Sequence, residues 1–514
     1  MSTPTRRFSP APSSTHSSRR WLPITSLLAL VTSVVTVARF WYWSTPFPPG
    51  LDGAQWLSYG RAFFGGAGRG AAATYAPLVP VVAHLLGITA GPALGIQVLG
   101  ISILVLLGAA VWLLSAQVLG PTWGSLVAAL VIPATALAEP FFYGGYPQQA
   151  ALAFGIFGIA ALVQASQMVG PIAPGLAVAL GTIAFLLASA SHLMYGPILL
   201  ASGAIAALAL GRMHKDRCRF IKFAAGSLAP AAAVSTYVAW DYVARGYRPP
   251  LDASHRALPD AWVYATREAP WIWGLIVIGG FILALPELVG AANKRRRRED
   301  VRTHEATVVG LALALPATAL FLASGQPRLV PPIILGCSML VAHAARSVVK
   351  THELATFVVI VGWSSLTLWL AVMTTAFSRD FASFYQELDA SLVNAAGSIP
   401  SSGDESIAVM ADQRGWPTGW WVEALQDRKV LTGSDLQWLA FPEEKAQAST
   451  VTTLSNSPDA DTLADRARAA HVRYFIARKW DWIGWEAWLL SATNAPSVVY
   501  DDNTTIVLDI APTP

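Results

Sequence analysis

The chain has 514 residues, of which 54% are hydrophobic and only 13% charged. A soluble domain carries about 25% charged residues, so this composition excludes an ordinary soluble globule. The net charge is +4, but the basic residues sit in short clusters between apolar runs. That is the pattern of cytoplasmic loops beside anionic lipid, not of a nucleic-acid-binding face.

Residues 1–20 are rich in Ser, Thr, Pro and Arg and read as a disordered cytoplasmic tail. The apolar run 22–40 ends in Arg39 and the aromatic cluster Phe40, Trp41, Tyr42 and Trp43, with no small-residue cleavage site. It therefore reads as an uncleaved membrane anchor. Further stretches long enough to span lie at 95–117, 122–138, 148–168, 172–190, 194–211, 222–243, 271–290, 306–324, 328–345 and 354–376. The expected architecture is a polytopic all-α membrane bundle of about eleven transmembrane helices.

Positive charge orients the set. Arg6, Arg7, Arg19 and Arg20 mark the N-terminal tail, and Arg212, Lys215, Arg217, Arg219 and Lys222 mark the loop 212–222. Lys294 to Arg298 with Arg302 mark 291–304, and Arg346 with Lys350 marks 346–353. All four clusters are expected in the cytoplasm. An odd number of crossings must then separate the outer loop after the first span from 212–222. The short apolar stretch 75–88, interrupted by Pro77 and Pro80, is accordingly read as a juxtamembrane or re-entrant helix on the outer face. Cys218 falls in a basic loop and Cys337 inside an apolar run, so no disulfide is expected.

From about residue 378 charge rises and turn residues punctuate the chain. The runs 406–410, 473–477 and 496–509 read as strands, and 418–426 and 457–470 as helices. Alternation of the two predicts a small extracytoplasmic α/β domain. The expected division is a tail 1–20, a membrane domain 21–377 with outer loops 44–94, 139–147 and 244–270, and an outer domain 378–514.

Several constellations on the outer side can carry chemistry. Asp52, in Pro48-Pro49-Gly50-Leu51-Asp52-Gly53, opens an expected helix. A carboxylate there can act as a general base toward an acceptor hydroxyl or merely cap the helix. Glu139 and Tyr146 flank Gly144-Gly145, where a ligand can approach the backbone closely. Glu139 can bind a divalent metal or a sugar hydroxyl, or simply be solvated. His192 lies in the turn between two apolar runs and can contact a phosphate, donate a proton or just pack. Arg328 stands outside, against the positive-inside trend, where a guanidinium suits a lipid-linked phosphate or snorkels to the interface. The loop 244–270 mixes Arg245, Arg248 and Arg256 with acids and aromatics, which suits a sugar phosphate or plain solvation. Trp416, Trp420 and Trp421 read as packing first and carbohydrate cover second. The chain holds no phosphate loop, no Gly-x-Ser-x-Gly and no His-Glu-x-x-His, which argues against an ATP-driven transporter or a zinc protease of those types.

Together, Asp52 in the first outer loop, the juxtamembrane segments around 54–88, Glu139 in the next loop and the closing outer domain resemble the polyprenyl-phosphate-dependent membrane glycosyltransferases of the C-type superfold, the protein mannosyltransferases and oligosaccharyltransferases. The resemblance implies a sugar donor on a lipid phosphate, transfer on the outer face to a glycan, lipid or protein acceptor, and inversion at the anomeric carbon. It implies that Asp52 is the catalytic base, Glu139 a metal or acceptor ligand, with Mg or Mn as the metal, and Arg328 the donor-phosphate contact. Tyr146, His192 and Arg248 are further substrate-binding candidates. The chain departs from the family pattern in having a single Asp at the first motif and no Asp-x-Asp at the second. Two other readings stand beside this one: a non-catalytic envelope assembly protein of the same fold, and a transporter or flippase. Against the latter, the spans carry little charge at their centres and show no repeat.

Overall fold

The computed structural model describes residues 15–65, 75–167, 173–213, 217–246, 257–296, 304–349, 352–401, 403–426, 428–482, 484–490 and 496–510. The membrane part runs through α1 (Thr15–Ser44), α2 (Asp52–Phe63), α3 (Leu78–Ala90), α4 (Pro92–Leu119), α5 (Pro121–Val131), α6 (Thr135–Tyr143), α7 (Tyr146–Gln167) and α8 (Ala173–Ser191). It continues through α9 (Tyr195–Met213), α10 (Arg217–Ala244), α11 (Leu258–Ala265), α12 (Pro270–Arg296), α13 (Glu305–Ser324), α14 (Val330–Val349) and α15 (Glu353–Tyr385). The expected tail 1–20 falls outside the described residues as far as Ser14.

Apolar side chains on these helices face outward at helical spacing. Leu27, Leu30, Val31 and Val34 of α1 are 59%, 60%, 43% and 55% exposed. Ile278, Ile282 and Leu285 of α12 and Leu354, Val358 and Val361 of α15 repeat the pattern. Stripes of exposed Leu, Ile and Val on long helices demand a lipid solvent. The chain is a multi-pass membrane protein.

Among the described residues eight helices are long and apolar enough to cross a membrane, or nine when α5 and α6, bent by 52° against each other, count as one span. The larger number expected from the sequence also counted α8 and α10. The apolar part of α8 is short, and Ser227, Pro230, Ser235 and Thr236 dilute the apolar character of α10. The segment expected to lie at the outer face is α3, whose 13 residues reach about 20 Å at 1.5 Å per residue, less than the hydrocarbon thickness. It packs between α2 and α4.

The C-terminal part comprises α16 (Ala390–Gly397), β1 (Ser406–Val409), α17 (Gly419–Leu425), β2 (Val430–Thr432), α18 (Pro442–Ser455), α19 (Ala460–Ala469), β3 (Val472–Arg478), α20 (Trp485–Leu490), β4 (Ser497–Asp501) and β5 (Thr505–Asp509). The five strands form one sheet in the order β2-β1-β3-β5-β4. β1 is parallel to β2 and β3, and β5 is antiparallel to β3 and β4. Ala408 stands opposite both Leu431 and Phe475, and Phe475 opposite Leu508. These four share a core with Val451, Leu454, Leu463 and Ala467 of α18 and α19. The alternate residues Ile407, Val409, Tyr474, Ile476 and Val507 face the other way, into a core shared with α2, α4, α6 and α17. A strand buried on both faces reads as a continuous apolar run, as β1 and β3 do.

The run expected as a strand over 496–509 folds as a β4–β5 hairpin. Asp502 makes its turn, with Oδ1 accepting from the amides of Thr504 and Thr505, each at 2.7 Å. Glu139, expected where a span meets an outer loop over 139–147, lies within α6, which runs on to Tyr143. Gly144, in the left-handed region at φ 94°, terminates that helix.

Candidate active site

Asp52 is the first residue of α2, after Leu51 at the N-cap, and no hydrogen bond to its carboxylate occurs among the described residues. The turn that carries it is held from three directions. Gly50 N donates to Tyr385 O at 2.8 Å, Trp421 Nε1 of α17 donates to Gly50 O at 3.0 Å, and Trp56 Nε1 donates to Gly144 O at 2.6 Å. Gly50 and Gly144 both have positive φ, and a methyl group on Gly50 would stand 2.6 Å from the Tyr143 carbonyl carbon. Two backbone turns thus touch where side chains would block them. Burial pushes the Asp52 carboxyl up to about 6, with the Arg328 charge opposing part of that rise.

Arg328 lies in a 3-10 turn, Pro327–Leu329, leading into α14. Its guanidinium carbon is 5.9 Å from the centroid of the Tyr143 ring. Tyr195 donates from its hydroxyl to the Arg328 carbonyl. Gln148 joins the two tyrosines, accepting from the Tyr143 hydroxyl at 3.2 Å and donating to the Tyr195 hydroxyl at 3.3 Å. His192 Nδ1 accepts from the amides of Met194 and Tyr195 at 3.1 and 3.2 Å. That places the proton of the neutral ring on Nε2. Burial, then the nearby Arg328 charge, push the imidazole down to about 3, so His192 is a neutral donor at physiological pH.

Glu139 is 4% exposed, which removes the reading of a solvated loop residue. Its Oε1 accepts from Tyr264 at 2.8 Å, Arg267 Nη2 at 2.8 Å and Tyr385 at 3.0 Å. Tyr385 stacks on Trp416 with centroids 5.9 Å apart and packs edge-on against Tyr143 at 5.8 Å. A link of aromatic rings therefore joins Glu139 to Tyr143 and so to Arg328. Burial raises the Tyr264 hydroxyl above its usual range, keeping it a proton donor to the carboxylate.

The structure brings Asp52, Glu139, His192 and Arg328 into one region, linked through Tyr143, Tyr195 and Tyr385. Tyr146 is fully buried beside Asp52, its hydroxyl without a partner among the described residues. Arg248 lies outside the described residues. Trp416, Trp420 and Trp421 are 7%, 5% and 0% exposed, so they pack. Sequence reasoning passed over Tyr264, Arg267, Gln148 and Tyr385. Only the spacing of Tyr264 and Arg267, three residues apart, offered a helix-face signal, and nothing local pairs them with Glu139.

No family model and no curated protein matches the chain. Solved structures do. ArnT from Cupriavidus metallidurans in the apo state superposes with TM-score 0.59 at 11% identity, covering 97% of this chain and 100% of that one. The same protein bound to undecaprenyl phosphate gives 0.56 at 12%, covering 96% and 99%. The oligosaccharyltransferase AglB from Archaeoglobus fulgidus, with an inhibitory peptide and a dolichol-phosphate, gives 0.54 at 13%, covering 88% and 69%. Over nearly its whole length, the chain has the fold shared by ArnT and AglB.

Proposed function

We propose that the chain is an integral membrane glycosyltransferase that moves a sugar from a polyprenyl-phosphate donor to an envelope acceptor on the outer face. The observation that carries this reading is a buried carboxylate, Asp52, within electrostatic reach of the Arg328 guanidinium, in a fold whose solved members hold lipid phosphates. The N-terminus and the basic loops lie in the cytoplasm, and the membrane domain 21–377 presents the site to the outer domain 378–514.

In this reading Asp52 takes the proton of the acceptor hydroxyl as its oxygen attacks the anomeric carbon. The bond from that carbon to the phosphate oxygen breaks on the opposite side, with inversion, and the electron pair leaves with the lipid phosphate. Arg328 pairs with the phosphate as its charge grows. His192 Nε2 is the neutral donor beside it. Gln148 and Tyr195 hold the 3-10 turn that carries Arg328. Glu139, pinned by three donors on one oxygen, fixes α6 and offers Oε2 to an acceptor hydroxyl.

The test separates donor classes. Membranes carrying the overproduced chain are given a panel of polyprenyl-phosphate sugars labelled in the sugar, or nucleotide sugars with the same label. Label should pass to envelope material from at least one lipid-linked donor and, in membranes stripped of lipid carrier, from no nucleotide sugar. Transfer from nucleotide sugars alone would sink the reading.

A further inference from the structure

The archaeal oligosaccharyltransferase of this fold has also been solved in complex with Zn and sulfate, which raises the question of a cation here. Glu139 is the acid that the sequence offers for it. A divalent cation of the Mg or Mn type needs several oxygen ligands, more than one of them anionic. Among the described residues no group of three His, Cys, Asp or Glu can hold a metal ion. One oxygen of Glu139 is already saturated, because Tyr264, Arg267 and Tyr385 all donate to Oε1, and one of those donors is itself a cation.

Arg267 is not a passing contact. Its Nε donates to Tyr264 O at 3.2 Å. Its guanidinium carbon stands 4.5 Å from the centroids of both the Tyr264 and Phe381 rings. The plane is thus sandwiched and aimed, with Nη2 on Glu139 at 2.8 Å. A guanidinium is charged at every physiological pH, so a metal ion at Glu139 meets a fixed like charge.

We propose that Arg267 is the built-in cation of this site: it occupies the place beside Glu139 that a divalent metal would take, and the site works without one. The consequence for turnover rests on the glycosyltransferase reading above, whereas the consequence for cation binding does not. Arg267 is a positioning residue here, acting through Glu139.

The experiment uses the full-length chain in lipid nanodiscs, stripped with EDTA, and Mn²⁺ as the probe. Free Mn²⁺ is followed by electron paramagnetic resonance, and thermal unfolding is followed alongside. The wild type should leave the free Mn²⁺ signal and the unfolding midpoint unchanged up to millimolar Mn²⁺. Arg267→Asp, which sets a second carboxylate against Glu139, should bind Mn²⁺ and rise in midpoint with it, a gain that a merely structural arginine would not produce. One Mn²⁺ bound per wild-type chain and lost in Glu139→Gln would overturn the proposal, and should Arg267→Asp fail to fold, the wild-type titration decides alone. Where transfer is detected, it should be the same within twofold in EDTA and in Mn²⁺, and a tenfold loss in EDTA reversed by Mn²⁺ would also overturn it. A chain with no transfer from any donor defeats the functional reading but leaves the Mn²⁺ measurement to decide this one.

Discussion

Asp52 and Gly144 touch: a methyl group on Gly144 would stand 2.8 Å from Cβ of Asp52 and 2.6 Å from the Gly53 amide nitrogen. The φ of Gly144 is +94°, which costs an L-residue roughly 1–2 kcal/mol before any clash. The contact fixes the distance between the turn that carries the proposed base and the end of α6. Gly144→Ala should therefore lower stability by at least about 2 kcal/mol and reduce transfer more than a neutral surface substitution. Thermal unfolding and initial rates in nanodiscs check both.

Trp421 holds the same turn from the C-terminal domain through its bond to Gly50 O. Trp421→Phe keeps most of the packing and deletes that bond, at about 1 kcal/mol. The expected outcome is a fall in kcat of about fivefold, since about 1.4 kcal/mol makes a tenfold change, with the donor KM unchanged. A change in KM alone would show that the bond serves donor binding instead of Asp52.

The C-terminal domain is docked by Arg61, which donates to the carbonyls of Glu423, Ala424 and Gln426 at the C-terminal end of α17. Ser58 adds a 2.6 Å bond to Glu423 Oε1. A cation at a helix C-terminus satisfies carbonyls that the helix leaves unpaired. Arg61→Ala should cost about 2 kcal/mol and make the segment after α15 susceptible to limited proteolysis. An unchanged digestion pattern would contradict this account of docking.

The pH dependence follows from Asp52. It must be ionised to take a proton, and its carboxyl is pushed up to about 6. Transfer should fall as pH drops through that value. His192, pushed down to about 3, cannot supply this limb, so His192→Gln should lower the rate without moving the midpoint. The sign for stability is the reverse of the usual carboxylate. Because the folded state holds the Asp52 proton more tightly than the unfolded chain, stability falls as pH rises from the unfolded pKa to about 6, and the loss is complete above it. Asp52→Asn should thus be at least as stable as the wild type at pH 8, with the advantage gone near pH 4.

Much of this was legible in the sequence. Long apolar runs marked most of the membrane helices, and the run 75–88 stood out among them as short. The C-terminal α/β domain showed in its apolar runs. What stayed hidden is tertiary. Glu139 sits one helical turn past Thr135 in a short helix between Pro133 and Gly144, and no local signal tells that helix from a loop. Its three partners come from α11, the segment that follows it and the end of α15, more than a hundred residues away in sequence. β2 has only three residues, too few for a periodicity to register, and it exists because β1 offers it a paired edge.

The central claim is that Asp52 removes the acceptor proton while Arg328 receives the lipid phosphate. Its most direct test is release of labelled polyprenyl phosphate from a donor labelled at phosphorus, in the presence of acceptor membranes. Wild type and Asp52→Asn are compared at equal amounts and equal unfolding midpoints. The account predicts release by the wild type and a loss of at least about a thousandfold in the variant, the scale of a missing general base in a positioned site. Release by Asp52→Asn within a few-fold of wild type would contradict it.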